Sequence, residues 1–430
     1  MKEKKKRSYK AIVALAFLVD KVEEKKNISY KAIVALAFLV YFFSYAMRLD
    51  YAASLVAIVS DLKITNTLAS AAVTGSFITY GIGQIICGFI GDKISPIKMI
   101  TVAMFGTILV NLLVSFSSNI TVITVLWCIN GVCQAMLWPP LTRFVLEQVG
   151  TNQYSDAITI VGLSGSVGTI FVYLFVPVVL EFTLWRNVFR CMSFFGVIMV
   201  AVWMFFTRGV KMGRAEAEKA SAMSGEKTIS VWGLIVLAGL IPIFIMIVLQ
   251  GILRDGIQTW LPSIVKEQFG LSESSSVLST AILPVLSMVS VLLANLLYRK
   301  FKNEVTTAAV MFIIATAATI PLIIKGTPAV ITVASAALIS GCMHGVNLMF
   351  ISFVPKTFMK YGMVSTFSGI LNAFTYVGAA LSTYGFAAVA DGLGWNAVIL
   401  SWCAISVTAT VICILKIKSW KEFIKIRKTV

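Results

Sequence analysis

The 430-residue chain is 58% hydrophobic and only 13% charged, with a mean hydropathy of +0.91. This composition lies outside the range of soluble globular proteins and indicates an integral membrane protein. The formal net charge of +17 does not indicate nucleic acid as a partner, because the basic residues are concentrated in the termini and in particular loops, a pattern that reports orientation in a membrane.

The N-terminal segment, residues 1–27, contains a partial duplicate of the first span. SYKAIVALAFLV stands at 8–19 and again at 29–40. Only the second copy continues far enough to cross about 30 Å of hydrocarbon, because DKVEEKK interrupts the first. No small-residue cleavage site of a signal peptide follows. We therefore interpret the first copy as a non-functional tandem repeat in a cytoplasmic segment.

Twelve apolar segments predict an all-α integral membrane fold with twelve transmembrane helices in two six-helix bundles. A cytoplasmic linker, 209–230, joins an N-terminal bundle, 28–208, to a C-terminal bundle, 231–416, and a basic cytoplasmic tail, 417–430, follows. The predicted spans are 30–58, 66–91, 96–116, 118–146, 154–181, 185–207, 231–264, 272–298, 305–325, 328–354, 362–390 and 394–415.

Lys and Arg are unequally distributed between the two sides of these spans. One side holds both termini, the linker and the connections near Lys93, Arg299 and Lys356. The positive-inside rule therefore places both termini in the cytoplasm, and we expect residence in the cell inner membrane. The halves also echo each other, as in YSDAITIVG at 154 and YGMVSTFSG at 361. A 6+6 repeat predicts a central site at the bilayer midplane, between two bundles that rock.

The sequence lacks the motifs of an enzyme or a metalloprotein. It contains a single histidine, His344, and no nucleophile–base, P-loop, dinucleotide or metal-ligand pattern. We therefore predict no catalytic residue, no metal and no cofactor, so that uphill transport would run on an ion or exchange gradient. The seven cysteines lie in apolar spans without C-x-x-C spacing and are interpreted as packing residues.

Charged residues stand inside two predicted spans, where they are costly and mark a water-filled path or an anion. The first span contains Arg48 and Asp50, and the seventh contains Arg254 and Asp255. Residues one or two apart do not face each other on a helix, so we expect no ion pair within either helix. The pairs left open across the cavity are Arg48 with Asp255 and Arg254 with Asp50. Buried carboxyl groups also carry protons, which makes Asp255 and Asp50 coupling candidates.

Several motifs resemble known transporter sequences. GFIGDKISPIKM, with Gly88, Asp92 and Lys93, resembles the signature loop of the major facilitator superfamily, which rearranges as the halves move. Five further stretches resemble the organophosphate:phosphate antiporter family of glycerol-3-phosphate and hexose-phosphate transporters: YAMRLDYAAS, YGIGQIICGFIGDK, QAMLWPPLTRF, LRDGIQTWLPSIVKEQFGLS and TFSGILNAFTYVGAALSTYGFAAVADGLGW. The resemblance implies that Arg48 and Arg254 face each other across a cavity and bind the substrate phosphate.

Three positions depart from that family's pattern. Gln84 stands where the glycerol-phosphate transporter has a cavity lysine, Gly165 replaces a histidine, and Asp255 replaces an aromatic residue. The site thus loses a cation and gains an anion. This favours a singly charged carboxylate, or a substrate with a cationic group for Asp255, over a dianionic phosphate ester.

Polar and aromatic side chains on spans that should approach the cavity complete the candidate binding site. They are Tyr45, Tyr80, Gln84, Gln258, Trp260, His344, Asn372 and Tyr376. His344 fits equally a cavity-lining or titrating role and a buried ring satisfied by a backbone carbonyl. Trp138, followed by two prolines, is expected to bend the fourth helix rather than to bind a ligand.

We predict a secondary active transporter that moves a small organic anion, an organophosphate or a carboxylate, by alternating access, with inorganic phosphate or a proton as coupling species. Two alternatives stay open. One is a proton-coupled symporter of a sugar acid or other carboxylate, and the other, of a different class, is a membrane sensor of an external organophosphate. The expected partners are the anion and the lipid bilayer, and we expect a monomer.

Overall fold

A computed structural model describes residues 29–210, 230–270 and 282–429. The predicted N-terminal segment, most of the predicted linker and the beginning of the predicted eighth span lie outside these residues. The described part of the chain is helical throughout, without a β-strand. The predicted all-α membrane architecture is confirmed.

Within residues 29–210, six helices form the N-terminal half. They are α1 (Tyr30–Leu62), α2 (Asn66–Lys93), α3 (Pro96–Val114), α4 (Ile120–Ala135), α5 (Trp138–Phe182) and α6 (Trp185–Thr207). α5 turns at Gly150, whose φ of 74° is readily adopted only by glycine. The predicted fourth span therefore consists of α4 and the first part of α5, and the expected bend lies where α5 begins at Trp138 with prolines in its first turn.

The C-terminal half begins with α7 (Val231–Leu237) and continues with α8 (Ile241–Phe269), α9 (Ile282–Phe301), α10 (Glu304–Ile323), α11 (Ala329–Asn347), α12 (Val364–Leu393) and α13 (Trp395–Thr429). A π-helical turn, Leu348–Phe353, and a 3₁₀ segment, Val354–Tyr361, connect α11 to α12. The expectation of one helix over 231–264 is wrong, because Gly239, with φ 56°, separates α7 from α8.

Eleven helical stretches of the described chain are long and apolar enough to cross a membrane. One of them, Ile120–Phe182, has 63 residues and would extend about 95 Å if straight, three times the hydrocarbon thickness. Its turn at Gly150 allows two crossings, which agrees with twelve spans. Large apolar side chains such as Leu174 and Leu415, which are 68% and 75% exposed, face outward, as a lipid-facing surface requires.

Hydrogen bonds between helices hold the N-terminal half together. Asn111 of α3 and Asn130 of α4 both donate to the carbonyl oxygen of Met47 in α1, at 3.3 and 3.1 Å. The amide of Gln134 donates to the carbonyl oxygen of Ser44 at 3.0 Å. Apolar side chains gain little by leaving lipid for another helix, so these polar contacts and close packing specify which helices associate.

In the C-terminal half, α8 and α12 pack backbone to backbone. A Cβ atom at Gly251 would lie 3.3 Å from the Cα of Gly378 and would overlap the carbonyl oxygen of Thr375. Small residues are what allow such an approach inside a membrane.

Replacing Gly251 with leucine should therefore separate α8 from α12. Overpacking of this kind costs about 1–3 kcal/mol or more, and we expect a lower midpoint of thermal unfolding in detergent micelles. The control is Gly392→Leu in α12, since a Cβ there meets no atom within 4 Å. Equal unfolding midpoints for the two variants would contradict the proposed contact.

Candidate functional site

A cavity of about 190 Å³ lies between the two halves. Helices α1, α2 and α5 line it on one side, and α8, α9, α11 and α12 on the other. Its polar lining residues are Tyr41, Tyr45, Tyr80, Ser166, Thr169, Arg254, Asp255, Gln258, Ser287, Ser340, His344, Asn347, Ser352, Asn372 and Tyr376. Such a lining suits a small polar or charged solute better than an apolar one.

Arg254 in this cavity is paired with its neighbour Asp255. Its Nε donates to Asp255 Oδ1 at 3.0 Å and its Nη2 to Asp255 Oδ2 at 2.8 Å, while Nη1 lies 3.4 Å from Asn347 Oδ1. The expectation that adjacent residues would not pair is wrong. Helical spacing describes only the direction of the Cα–Cβ bonds. The long side chain of Arg254 bends back towards Asp255 and forms two charge-assisted hydrogen bonds with it.

Arg48 is enclosed by aromatic rings instead of an acid. Its Nη2 donates to Tyr376 Oη at 3.0 Å. The guanidinium carbon lies 4.0 Å from the ring centroid of Tyr80 and 5.7 Å from those of Tyr45 and Tyr376. The electron-rich ring faces partly compensate the cation. Arg48 itself is not among the cavity-lining residues, although these three tyrosines are.

Asp50 lies inside the N-terminal half and does not line the cavity. Its side chain is fully buried, Oδ1 accepts from the backbone N–H of Tyr51 at 2.8 Å, and Oδ2 has no hydrogen-bond partner in the described structure. Two residues along a helix correspond to about 200° of rotation, so Asp50 points away from the side that carries Arg48. Neither of the ion pairs left open across the cavity is formed between the described side chains.

His344 combines the two environments expected for it. The ring lines the cavity, and its Nδ1 lies 3.0 Å from the carbonyl oxygen of Ser340 and 3.1 Å from the Ser287 hydroxyl. The imidazole is thus oriented by its own helix and by α9 while it faces the cavity.

Of the remaining candidates, most line the cavity and two do not. Tyr45, Tyr80, Gln258, Asn372 and Tyr376 are cavity residues, and so is Trp138. Gln84 and Trp260 are not among the cavity-lining residues.

Gln84 is excluded from the cavity by the approach of α12. It is fully buried, and its amide nitrogen lies 3.4 Å from the carbonyl oxygen of Ala135. A Cβ at Gly369 would overlap the carbonyl oxygen of Gln84, so α12 packs directly onto α2 at this level. Trp260 lies elsewhere on α8, with its indole nitrogen 3.4 Å from the carbonyl oxygen of Ser382 and its ring against Trp395.

Sequence reasoning missed two prominent cavity residues, Tyr41 and Asn347. Tyr41 is four residues before Tyr45, and Asn347 is three residues after His344. Both spacings place side chains on the same helical face, so each could have been found from its neighbour.

Asp92 joins the two halves at the end of α2. Its carboxylate accepts the backbone N–H groups of Ser365 at 2.9 Å and Thr366 at 2.7 Å, in the first turn of α12. A helix N-terminus has unpaired donors that favour an acid. Gly88 permits the approach, since a Cβ there would lie 2.8 Å from the carbonyl oxygen of Ser365. Lys93 is exposed.

Arg143 of α5 fixes the loop that follows Asp92, and sequence reasoning did not single it out. Its Nη1 donates to the carbonyl oxygens of Gly91 at 2.7 Å and Asp92 at 3.0 Å, and its Nε to Glu147 at 2.6 Å. The sequence indicates Arg143 only as a cation within QAMLWPPLTRF, near the side of the membrane on which Asp92 is predicted to lie.

A second contact joins the halves at the same end. Arg299, at the end of α9, lies 2.7 Å from Asp156 of α5, and Asn295 donates to the same carboxylate at 3.0 Å. Tyr154 donates to the carbonyl oxygen of Ser352 at 2.8 Å. We call this end of the bundle, marked by the Asp92 and Asp156 contacts, the closed end.

Both a family profile and individual protein sequences match this chain. The sequence profile of the Major Facilitator Superfamily matches residues 34–383. A probable hexose phosphate transport protein of Chlamydia trachomatis is 25% identical over 149 residues, 34% of this chain and 32% of the relative, so the match spans about a third of that protein. The glycerol-3-phosphate transporter of Bacillus subtilis is 22% identical over 395 residues, 84% of this chain and 87% of the relative.

Solved structures share the fold at low sequence identity. A proton:xylose symporter bound to 6-bromo-6-deoxy-D-glucose superimposes with a TM-score of 0.69 at 12% identity, over 89% of this chain and 94% of that chain. The E. coli fucose:proton symporter gives 0.68 at 15% identity, over 90% and 99%.

The Asp92 contact predicts a measurable shift of the closed end. Loss of a capping carboxylate costs about 1 kcal/mol, so Asp92→Ala should increase the fraction of molecules with separated halves about fivefold. Spin labels at the exposed positions Ile94 and Lys300, one in each half, would report this as a longer distance in pulsed electron paramagnetic resonance.

The matched control is Asp391→Ala, which removes an exposed acid at the opposite end of α12 and should leave the distances unchanged. Identical distance distributions in Asp92→Ala and the unmodified protein would show that the cap does not hold the halves together.

Proposed function

Because the chain belongs to the major facilitator superfamily, and the similar proteins described above are membrane transporters, we propose that it is a secondary active transporter of a small organic anion. One observation carries the proposal: the cavity between the halves contains a guanidinium, Arg254, whose acidic partner within the described part of the chain is the adjacent Asp255 of the same cavity. The names of its relatives, a hexose phosphate and a glycerol-3-phosphate transporter, support an anionic substrate.

The charges around the cavity favour a monoanion. Asp255 balances Arg254. Arg48, behind Tyr80 and Tyr376, has ring faces and a phenol as partners but no acid among the described residues. A dianionic phosphate ester would therefore meet less positive charge than it carries. We propose a carboxylate that binds Arg254 bidentately, draws Arg48 away from Tyr376, and presents a hydroxyl or cationic group to Asp255.

The proposed mechanism is alternating access between two bundles around this site. The closed end is the side with more Lys and Arg, so the positive-inside rule places it, with both termini, in the cytoplasm. In this proposal, the state described here is the one in which the cytoplasmic path is shut. Opening that path requires the Asp92 and Asp156 contacts to separate.

Substitution of Arg254 tests the substrate clamp. Arg254→Ala and Arg254→Lys should each lower uptake into reconstituted vesicles about 100-fold, because a lost charge-assisted pair costs about 3 kcal/mol and lysine does not reproduce the planar fork. Radiolabelled glucuronate and glycerol-3-phosphate serve as the carboxylate and phosphate-ester probes.

Arg190→Ala, which removes an exposed arginine outside the cavity, is the control and should transport normally. Uptake within threefold of normal in Arg254→Lys would overturn the clamp. Binding of a probe without uptake in the unmodified protein would favour the alternative of a membrane sensor.

Proton symport is a second candidate, favoured by the surroundings of Asp50. This fully buried carboxyl has no cation among its described contacts and one oxygen without a partner. An acid placed so in a membrane bundle is a candidate proton carrier. Exchange for inorganic phosphate, in contrast, needs no such group.

Asp50→Asn separates the two modes of coupling. If Asp50 carries the proton, the variant should keep substrate counterflow but lose accumulation driven by an inward-acidic pH gradient. If the protein exchanges its substrate for inorganic phosphate, accumulation should depend on internal phosphate and ignore the pH gradient in both the variant and the unmodified protein. Gradient-driven accumulation that survives in Asp50→Asn would exclude Asp50 as the carrier, and the same assay applies to Asp255→Asn.

A further inference from the structure

A groove of about 430 Å³ lies outside the central cavity, where α3 begins and α6 ends at the closed end. It shares no lining residue with the cavity. The residues that matter are Lys98, Thr101 and Val102 of α3 and Met204, Thr207 and Arg208 of α6.

The part of the groove nearer the middle of the membrane is apolar. Val102 and Met204 are 59% and 48% exposed, which places them on the lipid-facing surface. The hydroxyls of Thr101 and Thr207 donate to carbonyl oxygens of their own helices, each at 2.7 Å. The indole nitrogen of Trp203 donates to Thr101 Oγ1 at 3.2 Å, so α3 and α6 are tied together at the floor.

The mouth of the groove is cationic. Lys98 lies four residues from Val102, and Arg208 lies four residues from Met204, so on each helix a cation stands one turn from an exposed apolar side chain. Both cations are exposed, and neither forms an ion pair with another described residue. They stand at the ends of the apolar spans Pro96–Val114 and Trp185–Thr207, which is the level of the lipid headgroups.

This arrangement selects an anionic amphiphile. A water-soluble anion would leave the apolar floor unused, and a neutral lipid would leave two cations unbalanced. Basic pockets between transmembrane helices are known to suit anionic lipid headgroups. We propose that the groove binds one anionic glycerophospholipid, with its phosphate between Lys98 and Arg208 and an acyl chain along Val102 and Met204.

The site does not depend on the transported substrate, and bound lipid can be counted directly. The purified full-length protein would be delipidated in mild detergent, titrated with dioleoyl phosphatidylglycerol or dioleoyl phosphatidylcholine, and examined by native mass spectrometry. We expect one tightly retained phosphatidylglycerol and no equally retained phosphatidylcholine. At about 1 kcal/mol for each cation, the double variant Lys98→Gln/Arg208→Gln should bind that lipid roughly thirtyfold more weakly.

The matched control is Lys418→Gln/Lys421→Gln, which removes two exposed cations at the same end of the bundle, on α13, and should retain the lipid. Met204→Trp, which fills the groove and keeps both cations, should also release it. Equal retention in Lys98→Gln/Arg208→Gln and the unmodified protein would overturn the proposal. So would equal loss in both double variants, which indicates diffuse attraction, or equal retention of the two lipids.

Discussion

A charge or an unpaired polar group inside hydrocarbon is costly, and the arrangement of this bundle depends on how four of its buried charges are compensated. Arg254 is neutralised by Asp255, Arg48 by ring faces and a phenol, and Arg143 by backbone carbonyls and Glu147. Asp92 is compensated by two backbone amides. Each of these four charges is therefore compensated by a different kind of partner. For some of them the charge and its partner belong to the same half of the protein, and for others they belong to different halves.

That difference separates groups that hold the halves together from groups that do not. The bonds of Arg48 to Tyr376 and of Asp92 to α12 cross between the halves, so movement of one bundle against the other breaks them. The pair of Arg254 and Asp255 lies within α8 and moves as a unit. An anion that competes for both arginines would therefore act differently on the two, because only at Arg48 would it also weaken a contact between the halves.

The sequence allowed the number and order of the spans to be predicted, because bilayer thickness sets a minimum length for an apolar helix. The break between α7 and α8 was missed although Gly239 and Pro242 stand there, because the residues around them are apolar and no polar residue interrupts the run. Arg48, Arg254 and Asp255 were singled out as charges within apolar runs. Their partners were not predictable, because helical spacing does not determine where a long flexible side chain ends.

Gln84 was expected at the cavity for a reason unrelated to side-chain flexibility. Tyr80 and Gln84 lie one turn apart on α2, and only Tyr80 lines the cavity. The boundary between them is set by Gly369 on a helix almost three hundred residues away in sequence. Such a contact depends on how α2 and α12 cross. A glycine in a single sequence does not indicate which helix it will contact.

The two contacts of the closed end differ in their tolerance of mutation. Asp156 and Arg299 recognise each other through side chains, so a change at either position removes the pair. Asp92 binds main-chain amides of α12, which every amino acid except proline supplies. The recognition of α12 therefore rests mainly on its main chain, to which the buried Thr366 side chain adds a hydrogen bond, so a substitution in this turn leaves the two amide donors in place, whereas loss of the acid at 92 removes both bonds.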